Sequence, residues 1–314
     1  MSLIDVHAHF LPPDYRDALA AAGIDQPDGF PRVPTWSAED HLAVMDRVGI
    51  RAAVLSVSSP GVQLGGGLTA SDAVALAKHV NDVAATTISQ HPGRFGAFAS
   101  LPMADVDESL AEIERALDGL ALDGVNVLTN VDGVYLGDAS LEPIMTELNR
   151  RCTVVFIHPT SPACWECTSL GYPRPMIEFP FDTTRAVTNL LLSGTLARYP
   201  SIRWIVPHAG GTLPFLAPRI AGISVLMGAE DPAAIVAQLR RLHYDLAGSA
   251  NAPVVAALLG FVDPSQVLYG SDWPFTPEPI VDAAMGWIIG HDNPITPTEM
   301  TAAAVRLFPR LRGK

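Results

Sequence analysis

Eight short apolar runs recur along the 314-residue chain, each separated from the next by a loop or a helix-patterned stretch. They are residues 3–7 (LIDVH), 51–57 (RAAVLSV), 95–101 (FGAFASL), 124–129 (GVNVLT), 152–158 (CTVVFIH), 202–207 (IRWIVP), 242–246 (LHYDL) and 266–270 (QVLYG). Most are nearly continuous in apolar character, the pattern of parallel strands buried on both faces. Between them lie helical patterns at 71–90, 105–118 and 183–198, with Ser71, Asp105 and Asp182 placed as N-caps. Eight strands alternating with helices predict an α/β fold, a single-domain (β/α)8 TIM barrel spanning residues 1–314. A doubly wound sheet would carry a glycine-rich phosphate turn after its first strand, and HAHFLPPD is not one. The glycine-rich LGGGL at 64–68 fits neither phosphate-binding pattern and reads as a loop.

Charge and cysteine content narrow the partners. A net charge of −13 argues against nucleic acid and anionic membrane. The longest obvious apolar run, VVAALLGFV at 254–262, is too short to span a bilayer. The N-terminus lacks the basic region of a signal peptide, so the expected location is cytoplasmic. Three cysteines, an odd and low count, fit a reducing compartment. Cys164 and Cys167 have CxxC spacing but lie in a Pro- and Gly-bearing loop, without the second pair a zinc site needs.

Two segments are longer than ordinary connections: 10–35 after the first strand and 159–182 after the fifth. In a barrel both lie at the C-terminal face, where barrel active sites form. Titratable residues collect at the same rim. His7 and His9 share a face of the first strand because strand side chains alternate. His158 ends the fifth strand, His208 follows the sixth in VPHAGG, and Asp272 follows the eighth in YGSDWPF. Five such residues at four strand ends predict an open metal site of nitrogen and oxygen ligands. Three histidines and one aspartate suit Zn²⁺ or Mn²⁺, with zinc preferred, and leave His208 or Asp272 to carry a proton. The chain has two lysines, Lys78 in a helical pattern and Lys314 at the end. A lysine-bridged pair of metals is therefore excluded, and one metal per chain is expected. His41 and His79 fall in helical patterns, His91 precedes a proline, His243 opens the seventh strand, and His291 sits in a surface-like loop. Asp245 stands near a strand end, suited either to a hydrogen bond with a ligand or to a turn.

The His-x-His, His-Pro, HAGG and GSDWPF motifs together resemble the amidohydrolase superfamily over residues 3 to about 290. Within it they resemble the branch of 2-amino-3-carboxymuconate-6-semialdehyde decarboxylase (ACMSD). EFPFDTTRAV at 178–187 and GSDWPFTP at 270–277 are most similar to 6-methylsalicylate-type decarboxylases. The resemblance implies that His7, His9, His158 and Asp272 bind the metal and that His208 is the acid/base group. It implies a carboxy-lyase acting on a small aromatic or enoic carboxylic acid. A hydrolase of amides, esters or lactones is the alternative with the same ligands. Resorcylate-type relatives often carry glutamate in place of the second strand-one histidine and another after the strand-six histidine. This chain has His9 and no acid in HAGGTL, which argues against a dihydroxybenzoate substrate. The resemblance also assigns Arg219 a substrate-binding role from the neighbouring subunit of a homodimer. An anionic substrate in an acidic, lysine-poor protein needs such a fixed cation, and guanidinium grips a carboxylate at two points. Arg32, in the first long loop, is the second candidate cation.

Overall fold

Each of the eight apolar runs forms a strand of one parallel sheet in the computed structural model, which describes residues 3–228, 231–290 and 293–313. The barrel strands are β1 (Leu3–His9), β2 (Ile50–Ser56), β3 (Phe95–Ser100), β4 (Gly124–Leu128), β7 (Val154–His158), β8 (Arg203–Val206), β9 (His243–Asp245) and β10 (Val267–Leu268). They pair in chain order. The Val6 amide donates to the Tyr269 carbonyl at 3.0 Å, which closes β10 onto β1. The ring is the predicted (β/α)8 barrel.

Two apolar layers hold it. Leu55, Val125, Ile157, Val206 and Tyr244 face outward into the helices, whereas Ile4, Val6, Val54, Phe98, Phe156 and Ile205 fill the interior. The last helix, Pro297–Leu307, reaches that interior core with Ala303, Leu307 and the following Phe308. It plugs one end of the barrel and leaves the other for the site. Full burial of one such aromatic stabilises the fold by about 1.5–3 kcal/mol.

Pairing of β1 with β2 is irregular between Asp5 and Ala8. Val6 belongs to the interior core, and the next residue, His7, packs its ring 4.8 Å from interior Phe156. The irregularity changes which parity of residues faces inward, as a bulge does. It turns the His-x-His pair toward the barrel axis.

Several local expectations need correction. The helix predicted from Ser71 runs from Ala70 to Gln90 with Thr69 as its cap, in a reciprocal capping box with Asp72. Asp105 does cap its helix, accepting from Glu108 N. Asp182 is no cap. Its helix begins at Glu178, and the predicted 183–198 helix breaks at left-handed Gly194, separating Glu178–Leu192 from Thr195–Arg198. Inside the first long loop lies a helix, Pro13–Ala21. A hairpin of β5 (Asn130–Val131) and β6 (Val134–Tyr135) interrupts the run from β4 to the next helix. Lys78 ion-pairs with Glu108 at 3.0 Å on exposed helices, far from a ligand role, while His291 and Lys314 lie outside the described residues. Among the described residues no helix is long and apolar enough to cross a membrane.

Candidate metal centre

Strand ends deliver the predicted residues to one point. His7 and His9 come from β1, His158 is the last residue of β7, and Asp272 follows β10. One ligand atom from each lies within 4.8 Å of the others. Asp272 Oδ1 stands 3.0 Å from His9 Nε2 and 3.5 Å from His7 Nε2.

The outer nitrogens explain the orientation of the inner ones. His9 Nδ1 lies 3.2 Å from the Ser56 carbonyl, and His158 Nδ1 lies 2.7 Å from the Pro159 carbonyl. His7 Nδ1 lies 3.0 Å from Asp245 Oδ2. All three partners are acceptors, so in the neutral form that binds a metal each Nδ1 carries the proton and each Nε2 presents a lone pair inward. The Nε2 atoms of His7 and His9 are buried without a satisfying hydrogen bond. Bare lone pairs facing a carboxylate oxygen repel one another, and a cation between them removes the conflict. The donor set therefore fits one divalent metal.

Electrostatics agree. Burial keeps His158 well below its ordinary pKa, with the nearby His9 and His7 adding to the effect, and burial also lowers His9. Both stay neutral, as ligands must. Burial opposes charge on Asp272, yet the neighbouring imidazoles of His208, His9 and His7 hold it well below the carboxylate range. Burial likewise opposes charge on His7, but the Asp245 carboxylate outweighs it and raises the imidazole to about 8. The Asp245 and Asp272 carboxylates thus ask for positive charge at this point.

His208 stands beside the cluster, with Nε2 3.9 Å from Asp272 Oδ2 and its ring 5.0 Å from that of His7. Its backbone is left-handed, at φ 53°, as are Ala209 at 54° and Asp272 at 58°. Such conformations cost non-glycine residues roughly 1–3 kcal/mol and persist where surrounding contacts fix them. The Asp272 amide donates to the His7 carbonyl at 2.7 Å, and the Ser271 amide to Asp5 Oδ1 at 3.1 Å.

His158, His208 and Asp272 lie in the wall of a cavity of about 440 Å³. Phe30, Pro175, Met176, Phe179, Phe275 and Ile280 make its apolar side, and Ser58, Ser59, Ser249 and Thr276 its polar groups. The predicted long loops supply much of it. They are tied together where Asp28 Oδ1 accepts from Ser161 Oγ at 2.5 Å, and Arg174 Nε donates to the same hydroxyl at 2.6 Å. Sequence reasoning did not single out these residues, because pairs 133 positions apart leave no local signal.

Among the described residues, no lysine or arginine lines the cavity. Arg32 is exposed and lines a separate depression together with Val33, Pro34, Thr35 and Trp273. Arg219 is exposed on the helix Leu213–Ser224, outside the cavity and with no ion pair among the described residues. Asp245, whose role the sequence left open, contacts both His7 and the His208 turn.

Comparison with known proteins places this geometry. The amidohydrolase family model matches residues 4–304. A 6-methylsalicylic acid decarboxylase of Penicillium expansum is 37% identical over 321 residues, covering 100% of this chain and 98% of its own length. A crystal structure described as amidohydrolase II is 30% identical with a TM-score of 0.90, covering 98% of this chain and 99% of that one. A dihydroxybenzoic acid decarboxylase from Polaromonas, solved with bound manganese, shares the fold at a TM-score of 0.81 and 21% identity, covering 98% of this chain and 96% of that one. The chain belongs to the amidohydrolase family and, within it, to the ACMSD-like decarboxylases.

Proposed function

We propose that the protein removes CO2 non-oxidatively from a small aromatic carboxylic acid of the 6-methylsalicylate class, using one divalent cation held by His7, His9, His158 and Asp272. The observation that carries this reading is the placement of three inward Nε2 atoms and one carboxylate beside an apolar cavity of ring-binding size. A bound cation, Zn²⁺ or Mn²⁺, supplies positive charge for the substrate's oxygen atoms. The chain's own residues do the rest. Phe30, Phe179 and Phe275 hold the ring and exclude water. His208 and Asp272 handle the proton, which is delivered to the ring carbon bearing the carboxylate. The bond to the carboxylate then breaks, its electron pair returns to the ring, and CO2 leaves. The test is a panel of hydroxybenzoates alongside matched esters and lactones. Release of CO2 from the acids, with the esters and lactones untouched, is expected. Turnover of the esters or lactones alone would make the protein a hydrolase.

The same reading extends to a homodimer in which Arg219 enters the partner's cavity. Among the described residues the cavity has no lysine or arginine of its own, and Arg219 is exposed beside apolar Phe215, Ile223, Leu226 and Met227. Burial of that apolar face between two copies would bring the guanidinium to a neighbouring site. Arg219→Ala and His158→Ala subunits are each expected to be inactive. Mixed dimers regain one complete site and measurable activity. Verified mixed dimers without activity would refute the shared site. We place the protein in the cytoplasm, a reducing setting that suits three unpaired cysteines.

A further inference from the structure

Asp245 ends β9 and is fully buried, yet it lies outside the proposed ligand set. Its two oxygens do different work. Oδ2 faces His7 Nδ1 at 3.0 Å. Oδ1 accepts the His208 amide at 3.1 Å and the Ala247 amide at 2.9 Å. The first contact reaches a candidate metal ligand, and the second holds the backbone of the candidate acid/base residue. We propose that Asp245 is a positioning residue that sets two parts of the site at once: the tautomer of His7 through Oδ2, and the presentation of His208 through Oδ1. This rests on the reading of His7 as a ligand.

The reasoning is geometric. A carboxylate offers only acceptors, so Nδ1 of neutral His7 must be the protonated nitrogen. Nε2 is then left bare toward Asp272 and the other histidines. An imidazole with the opposite tautomer would aim a proton at the cation. The second contact acts on strain. His208 and Ala209 are both left-handed, and Gly210 and Gly211 continue the turn at φ 81° and 61°. Chains leave such a turn readily unless its amides are tied, and Asp245 Oδ1 ties the one at its start. Gly248, three residues after Asp245, would bring a Cβ within 3.9 Å of the His208 ring, so the same loop also borders that side chain.

Asparagine separates the two tasks. Its carbonyl oxygen still accepts from the His208 and Ala247 amides, but its NH2 replaces the acceptor at His7 Nδ1. Two donors cannot face each other, so His7 must shift its proton to Nε2 or turn away. Metal-free wild type, Asp245→Asn and Asp245→Ala are titrated with Mn²⁺, and kcat is then measured at saturating Mn²⁺. Apparent Mn²⁺ affinity is expected to fall about 10–100-fold in both variants, as loss of a ligand's hydrogen-bond partner does. At saturating Mn²⁺, Asp245→Asn is expected to retain at least about tenfold more kcat than Asp245→Ala, the loss expected from misplacing a catalytic group. A residue that only held the turn would leave Mn²⁺ affinity at the wild-type level in Asp245→Asn, and that result overturns the proposal. Equal kcat in two folded variants overturns the His208 half. Wild type that binds no Mn²⁺ refutes the ligand reading instead, which keeps the two failures apart. Nitrogen-15 spectra of metal-free wild type above pH 9, assigned by comparison with His7→Asn, need no folded Asp245 variant. The proton is expected on Nδ1 of His7, and a proton on Nε2 contradicts the tautomer claim.

Discussion

His158→Ala and Asp272→Ala are each expected to abolish stoichiometric metal binding and to lower decarboxylation by about 10³-fold or more, the loss of several kcal/mol that a Lewis-acid cation contributes. The two residues reach the site from different strand ends, one from the end of β7 and one from the segment after β10. Neither can be replaced by a neighbour, because the remaining buried groups are already committed. His9 and His158 spend their outer nitrogens on backbone carbonyls, and His7 on Asp245. Alanine at 272 also leaves two inward lone pairs without the carboxylate they face. Metal content by elemental analysis checks the claim: wild type carries about one ion per chain, as an open four-residue site implies. Full metal content and full rate in both variants would remove these residues from the site.

His208→Asn is expected to lower kcat by about 10² to 10⁴, the span that positioned proton transfer contributes, while metal content stays at the wild-type level. Asparagine is the informative substitution because position 208 has a left-handed backbone. Asparagine tolerates that conformation better than alanine does. The HAGG turn is thereby kept, and only the proton carrier is lost. His208 Nε2 sits 3.9 Å from Asp272 Oδ2, near enough to exchange a proton through a small adjustment of either side chain. A variant with wild-type kcat would show that Asp272 alone moves the proton. A variant lacking metal would make His208 a ligand rather than an acid/base group.

The barrel was legible because buried parallel strands leave unbroken apolar runs, and the clustering of the candidate ligands was legible because strand ends in a barrel converge. Each of the eight runs overlaps a strand of the sheet. The details that escaped depend on distant partners or subtle local geometry. Asp182 looks like an N-cap, yet its carboxylate is buried and accepts from Thr129 at 2.5 Å, from Asn130 at 2.9 Å and from Tyr135. Those partners lie about fifty positions earlier, out of reach of any capping rule. The β5–β6 hairpin did have a local signal, Asp132-Gly133, and both residues are left-handed as a tight hairpin turn requires. The irregular pairing at Val6 and His7 has none. Strict alternation puts His7 and His9 on one face of β1 but cannot say which face, and the irregularity settles it inward. Arg32 lies within the first long loop, yet it lines a separate depression rather than the cavity, so membership of that loop does not by itself bring a side chain to the site.

The most direct test of the account runs the decarboxylation of 6-methylsalicylate by metal-loaded enzyme in D2O. Carbon dioxide and the corresponding phenol should form together, with one solvent deuterium on the carbon that carried the carboxylate. Phenol formed without deuterium at that carbon, or no CO2 from any hydroxybenzoate in the panel, would contradict it.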